Sequence, residues 1–176
     1  MYLNVPFVTQ LGIGGNANLN DPTGCWYASA CMVAYSYEAG PRLGVPALYS
    51  MPITQPDGSS AVGHWSITTA WLPTFKKNEH LTELTGGMPA TAVGLAQALK
   101  RFGPLWFGWI KTAGTSTYGH VSVIVGVRGG TVIYHDPENA PNSEAPLATF
   151  IARLASGWPL LRRDGPEFGY MVTETI

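Results

Sequence analysis

The sequence carries little charge of either sign and has no run of basic residues. Only 12% of its 176 residues are Asp, Glu, Lys or Arg, and the formal net charge is −1. A nucleic acid or an anionic membrane surface is therefore not an expected partner, because both are bound through clustered positive charge. The longest apolar stretches have the length of a strand, which is too short to span a bilayer as a helix.

The first thirty residues contain no Lys or Arg, so the basic start of a secretory signal is missing. We therefore expect a soluble chain, which can also be a piece of a larger protein that is secreted or delivered into a target cell. With 45% hydrophobic residues, a chain of this length suits one domain over residues 1–176. There is little room for a second one.

Cysteine is scarce, and the two that are present, Cys25 and Cys31, lie six positions apart on one predicted helix. At about 1.5 Å rise per residue their Cα atoms would be roughly 9 Å apart, beyond the limit of about 7 Å for a disulfide. Cys31 is predicted to be a small core residue. The four histidines are not spaced relative to the cysteines as zinc ligands are, so we expect neither a metal nor a cofactor.

The pattern of apolar residues predicts an α+β fold. Helices are expected at 25–38, 65–71, 89–102 and 147–155, and residues 41–63 are expected to be irregular. Strands are expected at 5–9, 105–110, 120–127, 131–135 and 168–173. Helices dominate the first half, about 1–103, and antiparallel strands the second, about 104–176. This order indicates a helical part packed on a sheet, with a cleft between them.

Cys25 follows Gly24 at the start of the first predicted helix. The first turn of a helix has unpaired N–H groups and a partial positive charge, which favour a thiolate over a thiol. A nucleophilic cysteine is thus one interpretation of this segment. A buried structural cysteine is the other, since cysteine is among the most buried residue types.

A histidine and an aspartate downstream favour the nucleophile. His120 begins an apolar strand pattern, and Asp136 follows the next one, beyond a turn at Arg128-Gly129-Gly130. The two strands should form a hairpin that brings His120 close to Asp136. A carboxylate beside an imidazole orients it, and an oriented histidine can activate a thiol. His135 is a poorer base, because neighbouring side chains on a strand point to opposite faces.

Five short segments occur in an order that carries a resemblance. They are VPFVTQ at 5–10, GCWYA at 24–28, FGPLW at 102–106, GHV at 119–121 and DP at 136–137. The chain resembles the papain-like cysteine peptidases, and among them the compact bacterial members related to bacteriocin-leader peptidases and secreted effector proteases. This resemblance implies a papain-like fold, in which an N-terminal helix carries the nucleophile and packs against a C-terminal antiparallel sheet. It also implies a hydrolase with Cys25, His120 and Asp136 as its catalytic residues.

The resemblance further implies that Gln10 donates to the oxyanion, together with the backbone N–H of Cys25. Gln10 lies fifteen positions before Cys25, farther than is usual in the family. The Gly-rich and Asn-rich segment 12–20 must therefore loop out if Gln10 is to reach the site.

The expected activity is cleavage of peptide bonds through a thioester acyl-enzyme, by a bacterial toxin or effector domain that acts on a protein or peptide. An immunity or inhibitor protein is then a candidate partner. The same three residues would also serve a transglutaminase or deamidase, a cell-wall amidase or a leader-processing peptidase, because the acyl-enzyme is common to all of them. A module that binds peptides without catalysis is a further hypothesis, which the intact set of three residues disfavours.

Overall fold

The computed structural model describes residues 1–11, 23–37, 45–64 and 66–165, and the backbone of 172–174. Over these residues the fold is α+β, which confirms the predicted class. The described helices are α1 (Cys25–Ala34), α2 (Leu72–Asn78), α3 (Ala92–Phe102) and α4 (Leu147–Arg153), and a short 3-10 turn lies at Ala47–Tyr49.

The described strands are β1 (Tyr2–Leu3), β2 (Ser50–Thr54), β3 (Ser60–His64), β4 (Leu81–Glu83), β5 (Leu105–Ala113), β6 (Ser116–Arg128), β7 (Thr131–His135), β8 (Ser143–Pro146), β9 (Leu161–Arg163) and β10 (Val172–Glu174). Strands β2 and β3 form a separate hairpin, and the other described strands form one antiparallel sheet. The long strand β6 lies at its centre, where it pairs with β5, β7 and β1. The sheet also takes up β1 and β4 from the first half of the chain.

The predicted hairpin is confirmed by the pairing of β6 with β7. Arg128 pairs with Thr131, and Gly129 and Gly130 between them both have positive φ, a conformation that favours glycine. The register shifts between Ile124 and Gly126. β5 pairs with Ser116 to Ile124 along one edge of β6, and β7 pairs with Val123 to Arg128 along the other edge, while β1 pairs with β6 at Gly126.

Helix α1 packs against β5 and β6, which confirms the predicted arrangement of helix on sheet. Every residue of α1 after Cys25 is buried. The Trp26 side chain packs edge-on against Tyr49 and Phe75, and its carbonyl accepts a 3.1 Å hydrogen bond from Trp106 Nε1 on β5. Aromatic packing on one side and this bond on the other fix the helix start, and with it Cys25, relative to the sheet.

Three predictions about local structure are wrong, and the first two concern residues 5–9 and 41–63. Residues 5–8 form no strand, since Pro6 lacks an N–H and the Val5 carbonyl accepts from His135 Nε2 instead of from a strand. Residues 41–63 were expected to be irregular, but Ser50–Thr54 and Ser60–His64 pair as the β2–β3 hairpin. Its turn contains Pro-Asp-Gly at 56–58, where Gly58 has φ of 82° and its N–H donates to the Gln55 carbonyl.

The second helix was expected at 65–71, and it lies at α2 instead. Pro73 stands in the first turn of α2, a position where its missing N–H costs nothing. The first helix ends at Ala34 and is followed by a turn, while the predicted stop at Gly40-Pro41 lies outside the described residues. Part of the last predicted strand, 168–171, also lies outside them. No helix in the described part of the chain combines the length and apolar character needed to cross a membrane.

Candidate active site

A cleft opens between the start of α1 and the first half of β6. It contains a cavity of about 270 Å³, whose lining includes Gln10, Cys25, Trp26, Tyr118, His120 and Glu138. A smaller apolar cavity of about 130 Å³ also has Cys25 and His120 in its wall, together with Trp109 and Trp158. The structure therefore brings the predicted nucleophile, base and oxyanion donor to one cleft.

Cys25 begins α1 and keeps part of its surface open to the cleft. Protein nevertheless surrounds its sulfur closely enough that burial raises the pKa of the thiol to about 11. The backbone N–H groups of Val121 and Trp26 act in the opposite direction, and the negative charges of Asp136 and Glu138 add to the rise. The expected stabilisation of the thiolate by the helix start is thus present, but burial outweighs it.

His120 lies on β6 and is bonded to Asp136. The distance from His120 Nε2 to Asp136 Oδ1 is 2.6 Å, and both side chains are buried. Trp109, the partner of His120 in the β5–β6 register, packs edge-on against the imidazole and donates from Nε1 to Ser122 Oγ. Because Nε2 is engaged with the carboxylate, Nδ1 is the ring nitrogen that remains for Cys25.

Asp136 is only 2% exposed, so its charge needs partners. Oδ1 accepts from His120 and from the Glu138 N–H at 3.0 Å, and Oδ2 accepts from Lys111 Nζ at 2.8 Å. Burial by itself raises the pKa of Asp136, but the hydrogen bonds from His120 and Lys111 outweigh it and hold this pKa below its usual range.

Lys111, on β5, is bound by three acceptors. Besides Asp136 Oδ2, its ammonium donates to Glu138 Oε2 at 2.6 Å and to Asn139 Oδ1 at 3.1 Å. Burial lowers the pKa of Lys111, while its bonds to Asp136 and Glu138 more than offset this and leave the pKa raised. Glu138 Oε2 also accepts from the Tyr118 hydroxyl at 2.7 Å. A buried ion-pair network therefore lies directly behind the His120 imidazole.

His120, Asp136 and Glu138 offer ligand atoms within 4.8 Å of one another, a spacing that could hold a metal ion. Both carboxylates already bind the Lys111 ammonium, however. A second cation placed among them would be repelled by Lys111, so we assign no metal to this group.

Gln10 is 3% exposed and lies in the wall of the same cavity as Cys25. Its position is fixed by the loop after β7, because its backbone N–H and the Thr9 hydroxyl both donate to the Pro137 carbonyl, at 2.9 Å and 3.0 Å. Pro137 directly follows Asp136. The segment 12–20, which we expected to loop out, lies outside the described residues.

His135 takes no part in the cleft. Asn142 N–H donates to its Nδ1, which places the proton on Nε2, and Nε2 donates to the Val5 carbonyl at 2.9 Å. His135 and Asp136 thus diverge, as expected for neighbours at a strand end. Cys31 is fully buried in the core, as predicted, and no disulfide joins it to Cys25 in the described structure.

Three residues of the site were missed by sequence reasoning: Lys111, Tyr118 and Glu138. A signal existed for Lys111, since it lies two positions after Trp109 in a strand of otherwise apolar character, and so on the same face. Tyr118 and Glu138 stand two positions from His120 and Asp136, respectively. None of these spacings shows which charges pair, because the pairing arises between β5 and the loop after β7.

The comparison with protein families agrees with this geometry. A family model described as papain-like cysteine protease AvrRpt2 matches residues 3–155, a range that includes Gln10, Cys25, Lys111, His120 and Asp136. The match extends over most of the chain and over all four described helices. The enzyme is accordingly a hydrolase that acts on protein substrates. The chain belongs to the AvrRpt2 family of papain-like cysteine proteases.

Proposed function

We propose that this protease cleaves peptide bonds through a triad of Cys25, His120 and Asp136, with Gln10 in the oxyanion hole. The observation that carries the proposal is the 2.6 Å bond between His120 Nε2 and Asp136 Oδ1, in a cleft whose wall also contains Cys25 and Gln10. A nucleophile, a base and a group that orients the base are thereby combined in one place.

His120 acts first as the general base. Its Nδ1 removes the proton from the Cys25 thiol, and the sulfur attacks the carbonyl carbon of the scissile amide. The Gln10 side-chain amide and the Cys25 backbone N–H donate to the oxyanion of the tetrahedral intermediate. The imidazolium then returns its proton to the leaving amine, and water, activated by the same imidazole, hydrolyses the thioester.

The raised pKa of Cys25 gives His120 a larger part in this mechanism. A thiol with a pKa of about 11 is almost entirely protonated at neutral pH, so the reactive thiolate depends on transfer of its proton to the imidazole. Asp136 supports that transfer, because its carboxylate stabilises the imidazolium that forms.

We further propose that residues 1–176 form a single peptidase domain of a bacterial toxin or effector, which acts on a protein of a target cell. The family match and the compact size support this proposal. An unrestrained protease endangers the cell that makes it, so an immunity or inhibitor protein that covers the cleft is the expected partner. Release of ammonia from protein glutamine without chain cleavage would instead indicate a deamidase.

The experiment that tests the triad is intact-mass spectrometry after brief treatment with a papain-type epoxide inhibitor at neutral pH. The wild type should gain one adduct, Cys25→Ala none, and His120→Ala should react far more slowly. Cys31→Ala is the matched control, since it removes the buried cysteine and should label like the wild type. A folded wild type that stays unlabelled, or a Cys25→Ala variant that labels, would contradict the proposal.

A further inference from the structure

The network behind His120 contains two carboxylates and one ammonium. Asp136 and Glu138 carry the negative charges, and His120 Nε2 lies 2.6 Å from an Asp136 oxygen but 4.0 Å from the nearest Glu138 oxygen. An imidazole between two acids can bond to either of them. A further interaction must therefore make Asp136 the partner of the imidazole and keep the Glu138 carboxylate away from it.

We infer that Lys111 is a positioning residue of the triad: its ammonium holds the Asp136 carboxylate against His120 and draws the Glu138 carboxylate away from the imidazole. The inference rests on the proposed function, because it concerns the base of that triad. Lys111 touches neither the cleft cavity nor the sulfur; it acts through Asp136 and Glu138.

The geometry of Lys111 carries this role. The ammonium has three N–H donors and three acceptors within 3.1 Å, namely Asp136 Oδ2, Glu138 Oε2 and Asn139 Oδ1. All three N–H donors of the ammonium are therefore used, and the three bonds fix its position. Since Oδ2 of Asp136 is held by Lys111, Oδ1 is the oxygen turned toward His120. Glu138 Oε2 is held twice, by Lys111 and by the Tyr118 hydroxyl, and so stays 4.0 Å from the ring.

Lys111 also sets the charge that the imidazole experiences. Without it, two buried or partly buried carboxylates would face His120, and their field would disfavour the Cys25 thiolate further. Among the described residues, Tyr134 and Arg153 also lie near Lys111 and Asp136, where they line a separate cavity of about 390 Å³. The wall of the cleft cavity contains neither of these two residues.

The test is the pH dependence of alkylation of Cys25 by iodoacetamide, followed by intact mass in a Cys31→Ala background so that a single sulfur is present. Lys111→Met removes a nearby positive charge, so the midpoint of its pH–rate profile should lie about one pH unit or more above that of the wild type. Below the midpoint this shift means an approximately tenfold lower rate. Lys111→Arg, which keeps the charge, should stay closer to the wild type.

The double variant Lys111→Met/Glu138→Gln separates charge from packing. It removes one positive and one negative charge, so its profile should return toward that of the wild type, whereas Glu138→Gln alone should shift the profile to lower pH. Lys76→Met is the matched control, because it breaks the surface ion pair with Glu83 and should leave the profile unchanged.

Two results would overturn the inference: a Lys111→Met profile that coincides with the wild type, or a double variant shifted as far as the single one. Should Lys111→Met fail to fold, as judged by near-UV circular dichroism, Lys111→Gln takes its place, since it also removes the positive charge but keeps a hydrogen-bond donor for Asp136; it should show the same shift to higher pH. A wild type that alkylates no faster than a free thiol would contradict the proposed triad itself, a separate outcome.

Discussion

His120→Gln tests whether the imidazole or the helix start makes the Cys25 sulfur reactive. Glutamine resembles histidine in size and keeps a polar group beside Asp136, but it cannot take up the thiol proton. The variant leaves the start of α1 intact, together with the Val121 and Trp26 N–H groups that favour the thiolate. The two sources of activation are thus separated by one substitution.

The expected magnitude follows from the thiol pKa. At a pKa of about 11, only about one Cys25 in 10⁴ is a thiolate at pH 7 when no base accepts the proton. An exposed cysteine with a pKa of about 8.5 is about 3% thiolate at the same pH. The Cys25 thiol of the variant should therefore react roughly 300 times more slowly than an exposed cysteine at neutral pH, because only the thiolate is the nucleophile.

The assay is the rate of iodoacetamide labelling between pH 6 and pH 10, read by intact mass. In His120→Gln the rate should rise about tenfold per pH unit over the whole range, since the midpoint near 11 lies beyond it. The wild type should already react at neutral pH. If His120→Gln kept the neutral-pH rate of the wild type, the helix start alone would generate the thiolate, and the argument from burial would be wrong.

Two further predictions concern stability, read as the urea midpoint of unfolding. Burial lowers the pKa of His135, so the unfolded chain binds its proton more readily, and the wild type should lose stability as the pH falls below about 6.5. His135→Gln removes the imidazole that bonds to the Val5 carbonyl, so the variant should be less stable than the wild type at pH 7.5. The difference in their free energies of unfolding should shrink as the pH falls from 7.5 to 5, by at most about 1.4 kcal/mol per pH unit. A difference that stayed constant would contradict this reasoning. Gly126→Ala would put a Cβ 2.9 Å from the Met1 carbonyl oxygen and should cost about 1–3 kcal/mol, whereas Gly119→Ala, with open space around it, should cost far less; equal costs would contradict the steric argument.

Strong local patterns predicted much of the fold. The β6–β7 hairpin follows from two apolar runs around Gly129-Gly130, and α3 follows from a periodic pattern that ends at Gly103. The observed range of β7 is the predicted one, and α3 and α4 lie within a few residues of prediction. In each of these cases local propensity and tertiary packing favour the same structure.

Prediction failed where proline and glycine were taken only as signs of irregular structure. Pro-Asp-Gly at 56–58, in the segment expected to be irregular, closes the β2–β3 hairpin. Pro73, for which nothing was predicted, stands in the first turn of α2. The same residue types end one element and begin another, according to position. The segment 5–8 shows the converse case, since Val5 and Val8 are buried as in a strand, but the Val5 carbonyl bonds to His135 and not to a sheet neighbour.

The sequence pointed to Cys25, His120 and Asp136, which the structure brings to one cleft or its border, but not to the charges around them. Only a few catalytic roles suit the thiol of Cys25, the imidazole of His120 and the carboxylate of Asp136, and the β6–β7 hairpin brings the last two together. Lys111 comes from another strand and meets Asp136 only through the β5–β6 pairing. A charge inside an apolar strand signals that a partner exists, but the partner is fixed by tertiary structure.

In the proposed triad, the buried network explains how Asp136 can orient the imidazole without suppressing the thiolate of Cys25. A carboxylate stabilises the imidazolium, yet its negative charge also raises the pKa of Cys25, and Glu138 adds to the same effect. Lys111 bonds to both carboxylates, so the network of three carries one net negative charge instead of two. When the thiol proton moves to His120, that single charge is balanced by the imidazolium next to it. The sulfur then faces a group of side chains that is neutral and no longer net negative, which disfavours its thiolate less.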